Sequence, residues 1–104
     1  MQYVLVEWEH DMEDEPYLIY SELNEDRMET RKMEFYRNGL SFSYGAERGH
    51  FDVLADVPFP SDLREIERQG APGEFTARSI SPSLFYDIWN QTQERPDGFM
   101  GMFF

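Results

Sequence analysis

Asn38-Gly39, set between two runs of β-forming residues, is the feature that most narrows what this chain can fold into. A type I′ turn needs positive φ at both central positions, and Asn-Gly adopts it most readily. Such a turn sets Arg37 opposite Leu40, Phe35 opposite Phe42 and Met33 opposite Tyr44. One side of the hairpin is then apolar, while Glu34 with Ser43 and Tyr36 with Ser41 take the other. A slip of one residue would exchange the two sets, so a sheet with one buried face would hold this register. By the same parity Arg31 falls on the apolar side and requires an acidic partner if buried.

Periodicity and punctuation supply the other elements. Val4, Val6 and Trp8 alternate with Glu7 and Glu9, as in a strand with one buried side. Asp11 to Pro16 reads as a charged loop, residues 17–23 as a second strand and Asn24-Glu25-Asp26 as a polar turn. Phe51 to Leu54 is an edge strand or a packed loop, and Phe75 to Ile80 another strand. Ser61 or Asp62 caps a short surface helix over 61–69, which Gly70 stops. Ser81-Pro82 opens a helix over 82–92 whose Leu84, Phe85, Ile88 and Trp89 form an apolar stripe. The expected fold is α+β: an antiparallel sheet of four or five strands, packed by the 82–92 helix. Residues 1–94 form the domain and 95–104 an apolar tail.

Charge bounds the function. The net charge is −12, and residues 1–34 hold 11 acids and 3 bases, or −8 of it. That balance argues against direct nucleic-acid binding, which needs a basic footprint. The chain has no Cys, so disulfides, thiolate metal sites and a Cys nucleophile are excluded. No apolar run approaches the ~20 residues of a membrane span, and a cytoplasmic protein is expected. No phosphate-binding Gly-rich loop or G-x-S-x-G motif occurs.

The acids concentrate in Glu7-Trp8-Glu9-His10-Asp11-Met12-Glu13-Asp14-Glu15-Pro16, where six of ten residues are carboxylates. His10, Asp11, Asp14 and Glu15 are candidate ligands for a divalent cation, although their spacing matches no established signature. The plainer alternative is a solvated loop whose first carboxylates pair with Arg27, Arg31 or Lys32. The same acids suit a surface that meets a basic partner: Glu7, Glu9, Asp11, Glu13, Asp14 and Glu15, joined by Glu22, Glu25 and Asp26. Arg27, Glu29, Arg31, Lys32 and Glu34 alternate in sign, as cross-strand ion pairs would require. Phe99, Met100, Met102, Phe103 and Phe104 make the tail very apolar, fit for a partner or a second copy.

Trp8-x-His10-Asp11, Asp14-Glu15-Pro16, Tyr20-Ser21-Glu22-Leu23 and Arg27-x-Glu29-x-Arg31-Lys32-x-Glu34 stand in a familiar order. On these motifs the chain resembles a bacterial family of small domains of unknown function, over roughly residues 3–89. Met28 stands where the family pattern has an aromatic residue, and residues 93–104 extend past its usual end. The resemblance implies a small α+β intracellular protein of bacterial or phage genomes, with no catalytic residues to transfer. The expected function is a non-catalytic acidic binding protein that blocks or steers a basic protein partner. An inhibitor, an immunity-type protein or a phage anti-defence protein acts this way, including by occupying a nucleic-acid-binding groove. No cofactor is expected. The alternatives are a small metal-dependent hydrolase using the His10 loop, or a structural subunit that self-associates, as a homodimer, through the tail.

Overall fold

β1 (Gln2–Trp8) organises the molecule, because Tyr3, Val4, Leu5 and Val6 are all buried. Successive residues of a strand point to opposite faces, so four buried neighbours mean a sheet covered on both sides. The computed structural model describes residues 1–96. They build one antiparallel sheet from β1, β2 (Leu18–Leu23), β3 (Glu29–Phe35), β4 (Ser41–Tyr44) and β5 (Phe75–Ser79). The strand order is β4-β3-β2-β1-β5.

On one face Tyr3 and Met33 pack against Phe85 and Trp89 of helix α2 (Pro82–Trp89), with Tyr20, Phe35 and Ile88 beside them. The α2 start is as its sequence implies: Ser81 Oγ accepts the Leu84 N–H at 3.1 Å, and Pro82 stands in the first turn. Phe85 and Trp89 are one helical turn apart and both buried, whereas Leu84 points to solvent. The helix ends at Trp89 rather than at residue 92. Beyond it Gln91 and Thr92 donate to the carbonyls of Ile88 and Trp89, a tighter turn that starts the return to the sheet.

On the other face Val4, Val6 and Leu23 pack under Phe59, Leu63 and Ile66. Leu63 and Ile66 belong to the expected short helix, which is a single turn, α1 (Arg64–Glu67). Asp62 Oδ1 accepts the Arg64 N–H at 3.0 Å. Phe51–Val53, like Ala46–Arg48, is a 3-10 turn and not a strand.

The β3–β4 register departs from the expected one. Tyr36 N–H donates to Leu40 O at 2.9 Å and Gly39 N–H to Tyr36 O at 3.1 Å, which makes Arg37-Asn38-Gly39 a three-residue loop. Gly39 has φ +91 and Asn38 does not have positive φ; Asn38 Oδ1 instead accepts the Leu40 N–H. Met33 therefore lies opposite Ser43, Glu34 opposite Phe42 and Lys32 opposite Tyr44. Met33 and Phe35 face α2, while Phe42 and Tyr44 face the other way. With both faces covered, each apolar set has somewhere to be buried, so polarity alone does not fix the register.

Gly45, after β4, is held by its surroundings. It has φ 95 and ψ 169, a region open essentially to glycine alone, and a Cβ there would lie 2.3 Å from Thr30 O. Gly45→Ala is expected to lower unfolding free energy by about 1–3 kcal/mol, read from the denaturant midpoint.

Candidate functional site

The acidic stretch forms the connection between β1 and β2, and backbone bonds hold both of its ends. Trp8 N–H donates to Tyr17 O at 2.9 Å, Glu9 N–H to Glu74 O at 2.7 Å and Tyr17 N–H to Phe35 O at 2.9 Å. His10 fastens the loop from within. Its Nδ1 accepts the Met12 N–H at 3.0 Å, so Nε2 carries the proton and donates to Pro16 O at 2.8 Å. The ring also stands edge-on to Trp8, with centroids 4.4 Å apart.

Both imidazole nitrogens are thus engaged in shaping the loop, and a metal would have to displace one of those bonds. Among the described residues no group of three or more His, Asp or Glu side chains is placed to hold a metal ion. His10 thus holds the loop in shape from within. The loop's first carboxylates do not pair with Arg27, Arg31 or Lys32. Glu9 Oε1 lies 3.4 Å from Arg37 and Glu7 Oε1 4.0 Å from Arg78. Asp11, Glu13 and Asp14 are exposed and, among the described residues, have no cation within 4 Å.

Beside the loop lies a groove of about 440 Å³ whose lining includes Glu7, Glu9, Tyr17, Leu18, Arg37 and Thr76. The Trp8 ring is fixed on the other face of the strand: its indole N–H donates to Glu74 Oε2 at 3.1 Å, and it stacks on Phe75 at 5.5 Å. Glu74 is held in turn by the Ala71 N–H at 3.1 Å. Glu7 and Glu9 line the groove, and so does Arg37, whose guanidinium carbon lies 4.9 Å from the Tyr17 ring centroid. Sequence reasoning missed Tyr17, Arg37 and Glu74. They come from three separate segments, and only the fold brings them together.

The other acids proposed for this surface lie elsewhere. Glu25 and Asp26 are exposed in the β2–β3 turn, at the far end of a six-residue strand about 20 Å long. Glu22 is removed from any surface, being fully buried on the α2 face. The tail residues Phe99, Met100, Met102, Phe103 and Phe104 lie outside the described residues.

Glu22 instead centres a buried polar network. Its Oε2 accepts the hydroxyls of Tyr86 and, at 3.0 Å, Tyr3; its Oε1 accepts Thr30 Oγ1 at 2.7 Å and Arg31 at 2.8 Å. Burial alone would raise the Glu22 pKa, but the bonds from Tyr86, Thr30, Arg31 and Tyr3 outweigh it and hold the carboxyl below the ordinary range. Burial raises the Tyr86 hydroxyl far above its usual value, and the bond to Glu22 adds to that rise. Arg31 has the acidic partner its position required, and its guanidinium lies over the rings of Tyr86 and Trp89 at 5.8 and 5.4 Å. Glu29 is buried on the opposite face, where it accepts Ser21 Oγ at 2.6 Å and the Ala55 N–H at 2.8 Å. Lys32 lies 3.6 Å from it and donates to Val53 O at 2.6 Å. Of the alternating row, Arg31 pairs across strands with Glu22, while Lys32 pairs along its own strand with Glu29 and Glu34.

A fully bonded buried carboxylate on each face holds the sheet together, while the carboxylates of Asp11, Glu13 and Asp14 in the loop are exposed. Among the described residues no helix is long and apolar enough to cross a membrane. The architecture is that of a small α+β protein. The chain belongs to the family described as Domain of unknown function (DUF6881), whose model matches residues 2–94. The match reaches past residue 89 to Glu94, and the fold agrees: Ser43 N–H donates to Gln93 O at 2.8 Å, and Glu94 bridges to Ser43 along the edge of β4. No curated protein matches the chain, and no solved structure does.

Proposed function

We propose that this protein is a non-catalytic binding protein of the cytoplasm whose β1–β2 loop meets a basic protein surface and blocks or steers it. Inhibitors, immunity-type proteins and phage anti-defence proteins act in this way, and a basic nucleic-acid-binding groove is one such surface. The observation that carries the reading is the division of labour among the acids. Glu22 and Glu29 are bonded inside the fold, while Asp11, Glu13 and Asp14 are exposed on an ordered loop with no cation within 4 Å among the described residues. Like charges gathered on a held loop repel one another, and a basic partner relieves that repulsion. The apolar tail as a second contact, with a partner or a second copy, lies outside the described residues.

Affinity capture from host cytoplasm, with mass spectrometry of what co-purifies, identifies the partner. With that partner, raising salt from dilute buffer to well above physiological strength is expected to slow association by at least about tenfold, with a smaller change in dissociation. Stopped-flow measurement across a salt series checks this. An association rate indifferent to salt would sink the electrostatic reading.

A further inference from the structure

We infer that the outer edge of β5 is a pairing surface for a second copy of this chain, and that the Glu67 carboxylate holds it shut.

β5 stands at one end of the strand order and pairs with β1. Its backbone groups alternate in direction, as in any antiparallel ladder. Ile80 N–H donates to Tyr3 O and Glu9 N–H to Glu74 O, so Glu74, Thr76, Arg78 and Ile80 turn their backbone groups towards β1. Phe75, Ala77 and Ser79 turn theirs outward. Such a row of N–H and C=O groups is a template for another strand. At the opposite edge main chain gives cover, since Ser43 N–H donates to Gln93 O. At β5 a side chain gives it: the Ala77 N–H donates to Glu67 Oε2 at 3.1 Å. That oxygen stands where a neighbouring strand would place a carbonyl.

Glu67 is held there from both sides. It is the last residue of α1, and Leu63 and Ile66 before it pack with Phe75 and Ala77 against Val4, Val6 and Leu23. The turn back into β5 is closed by two bonds, from Glu74 N–H to Ala71 O at 2.9 Å and from Ala71 N–H to Glu74 Oε1 at 3.1 Å.

The partner that this edge fits is its own copy, because the outward residues are symmetric about Ala77. A second β5 laid antiparallel across a two-fold axis there sets Ala77 opposite Ala77 and Phe75 opposite Ser79. Every outward residue then meets another outward residue. Arg78 faces Thr76, so no two like charges meet across the joint. β5 contains no proline, and its pairing with β1 runs without a bulge, so the strand itself offers little resistance to extension. The Glu67 carboxylate is the obstacle.

Glu67→Ala in the full chain tests this, in salt that screens the repulsion between molecules of net charge −12. In dilute solution its Ala77 amide is expected to exchange at least about tenfold faster than in the parent. At high concentration the variant is expected to sediment as a dimer of the parent species, with Ala77 protected again. Glu67→Gln keeps an oxygen for the Ala77 N–H and is expected to keep the parent's mass. Adding Ala77→Pro to Glu67→Ala removes the outward N–H and is expected to restore that mass; Ser79→Pro takes its place if the first proline variant lacks the native spectrum. A folded Glu67→Ala that keeps the parent's mass at every concentration would overturn the inference. So would association that persists in a folded proline variant, because it would run through another surface.

Discussion

Glu22→Ala is expected to lower the unfolding free energy by about 3–5 kcal/mol, the cost of breaking a buried ion pair from one side. Small proteins are stable by only about 5–15 kcal/mol, so this variant would be near its limit at room temperature. The substitution removes more than a charge. It leaves the Tyr3 and Tyr86 hydroxyls without their carboxylate acceptor, the Thr30 hydroxyl with only the residue-22 carbonyl at 3.3 Å, and Arg31 over two rings with only the exposed Glu47 carboxylate, 3.8 Å away. Glu22→Gln keeps the shape and one acceptor oxygen, and is expected to cost about 2 kcal/mol, the difference between charged and neutral hydrogen bonds. Urea midpoints of the two variants against the parent check the order.

The same network sets the acid limb of the stability curve. Glu22 has a lower pKa folded than unfolded, where it takes the ordinary value of about 4.3. Its ionised form therefore stabilises the fold fully above that value, and the contribution is lost as pH falls through the lower, folded one. Stability should decline below about pH 4, and more steeply in the parent than in Glu22→Gln, which has no proton to bind there.

How much of this was legible in the sequence differs from residue to residue. Arg31 was placed on the apolar side by counting alternate residues, and its need for an acid followed from the cost of burying a charge. Which acid it would be was not readable, because Glu22 comes opposite Arg31 only through the β2–β3 pairing. Asn38-Gly39 correctly marked a hairpin, yet the type I′ reading failed. Asn38 uses its side chain as a local acceptor instead of taking positive φ, so the loop gains a residue and every cross-strand pair shifts by one. The error came from assuming one buried face. Lone apolar residues in irregular segments, Phe59, Leu63 and Ile66, cover the second face without a periodic signal. His10 stood out by composition as a metal ligand, and hydrogen bonds to Met12 and Pro16 two and six residues away give it another task. The acidic loop was visible at once, being contiguous, while the groove beside it was hidden because its lining comes from segments that meet only in the fold.

Arg48→Ala is expected to cost about 3 kcal/mol, although the residue lies in a three-residue turn with no periodic signal. The last turn of α2 contains no basic residue, so its terminal carbonyls look elsewhere for donors and for positive charge. Arg48 supplies both from 41 residues upstream. Its guanidinium donates to Trp89 O and Thr92 O at 2.8 Å and to Ser43 Oγ at 2.6 Å, with its central carbon 4.2 Å from the Trp89 ring. One side chain thereby joins the 3-10 turn, the β4 edge and the end of the helix that covers the sheet. Losing charged hydrogen bonds to buried carbonyls accounts for most of the expected cost, and the lost ring contact adds to it. Arg48→Lys keeps the charge but not the reach of Nη1 or the flat guanidinium over the Trp89 ring, and should recover less than half of the loss. Arg64→Ala serves as the control, since among the described residues that exposed side chain forms its hydrogen bonds and ion pair with Asp62. Because Ser43 N–H also bonds Gln93 O, the Arg48→Ala variant should exchange the amide hydrogens of Ser43 and Thr92 faster than its global stability requires. Uniform exchange at the global rate would show instead that the β4 edge holds the 92–94 segment without Arg48.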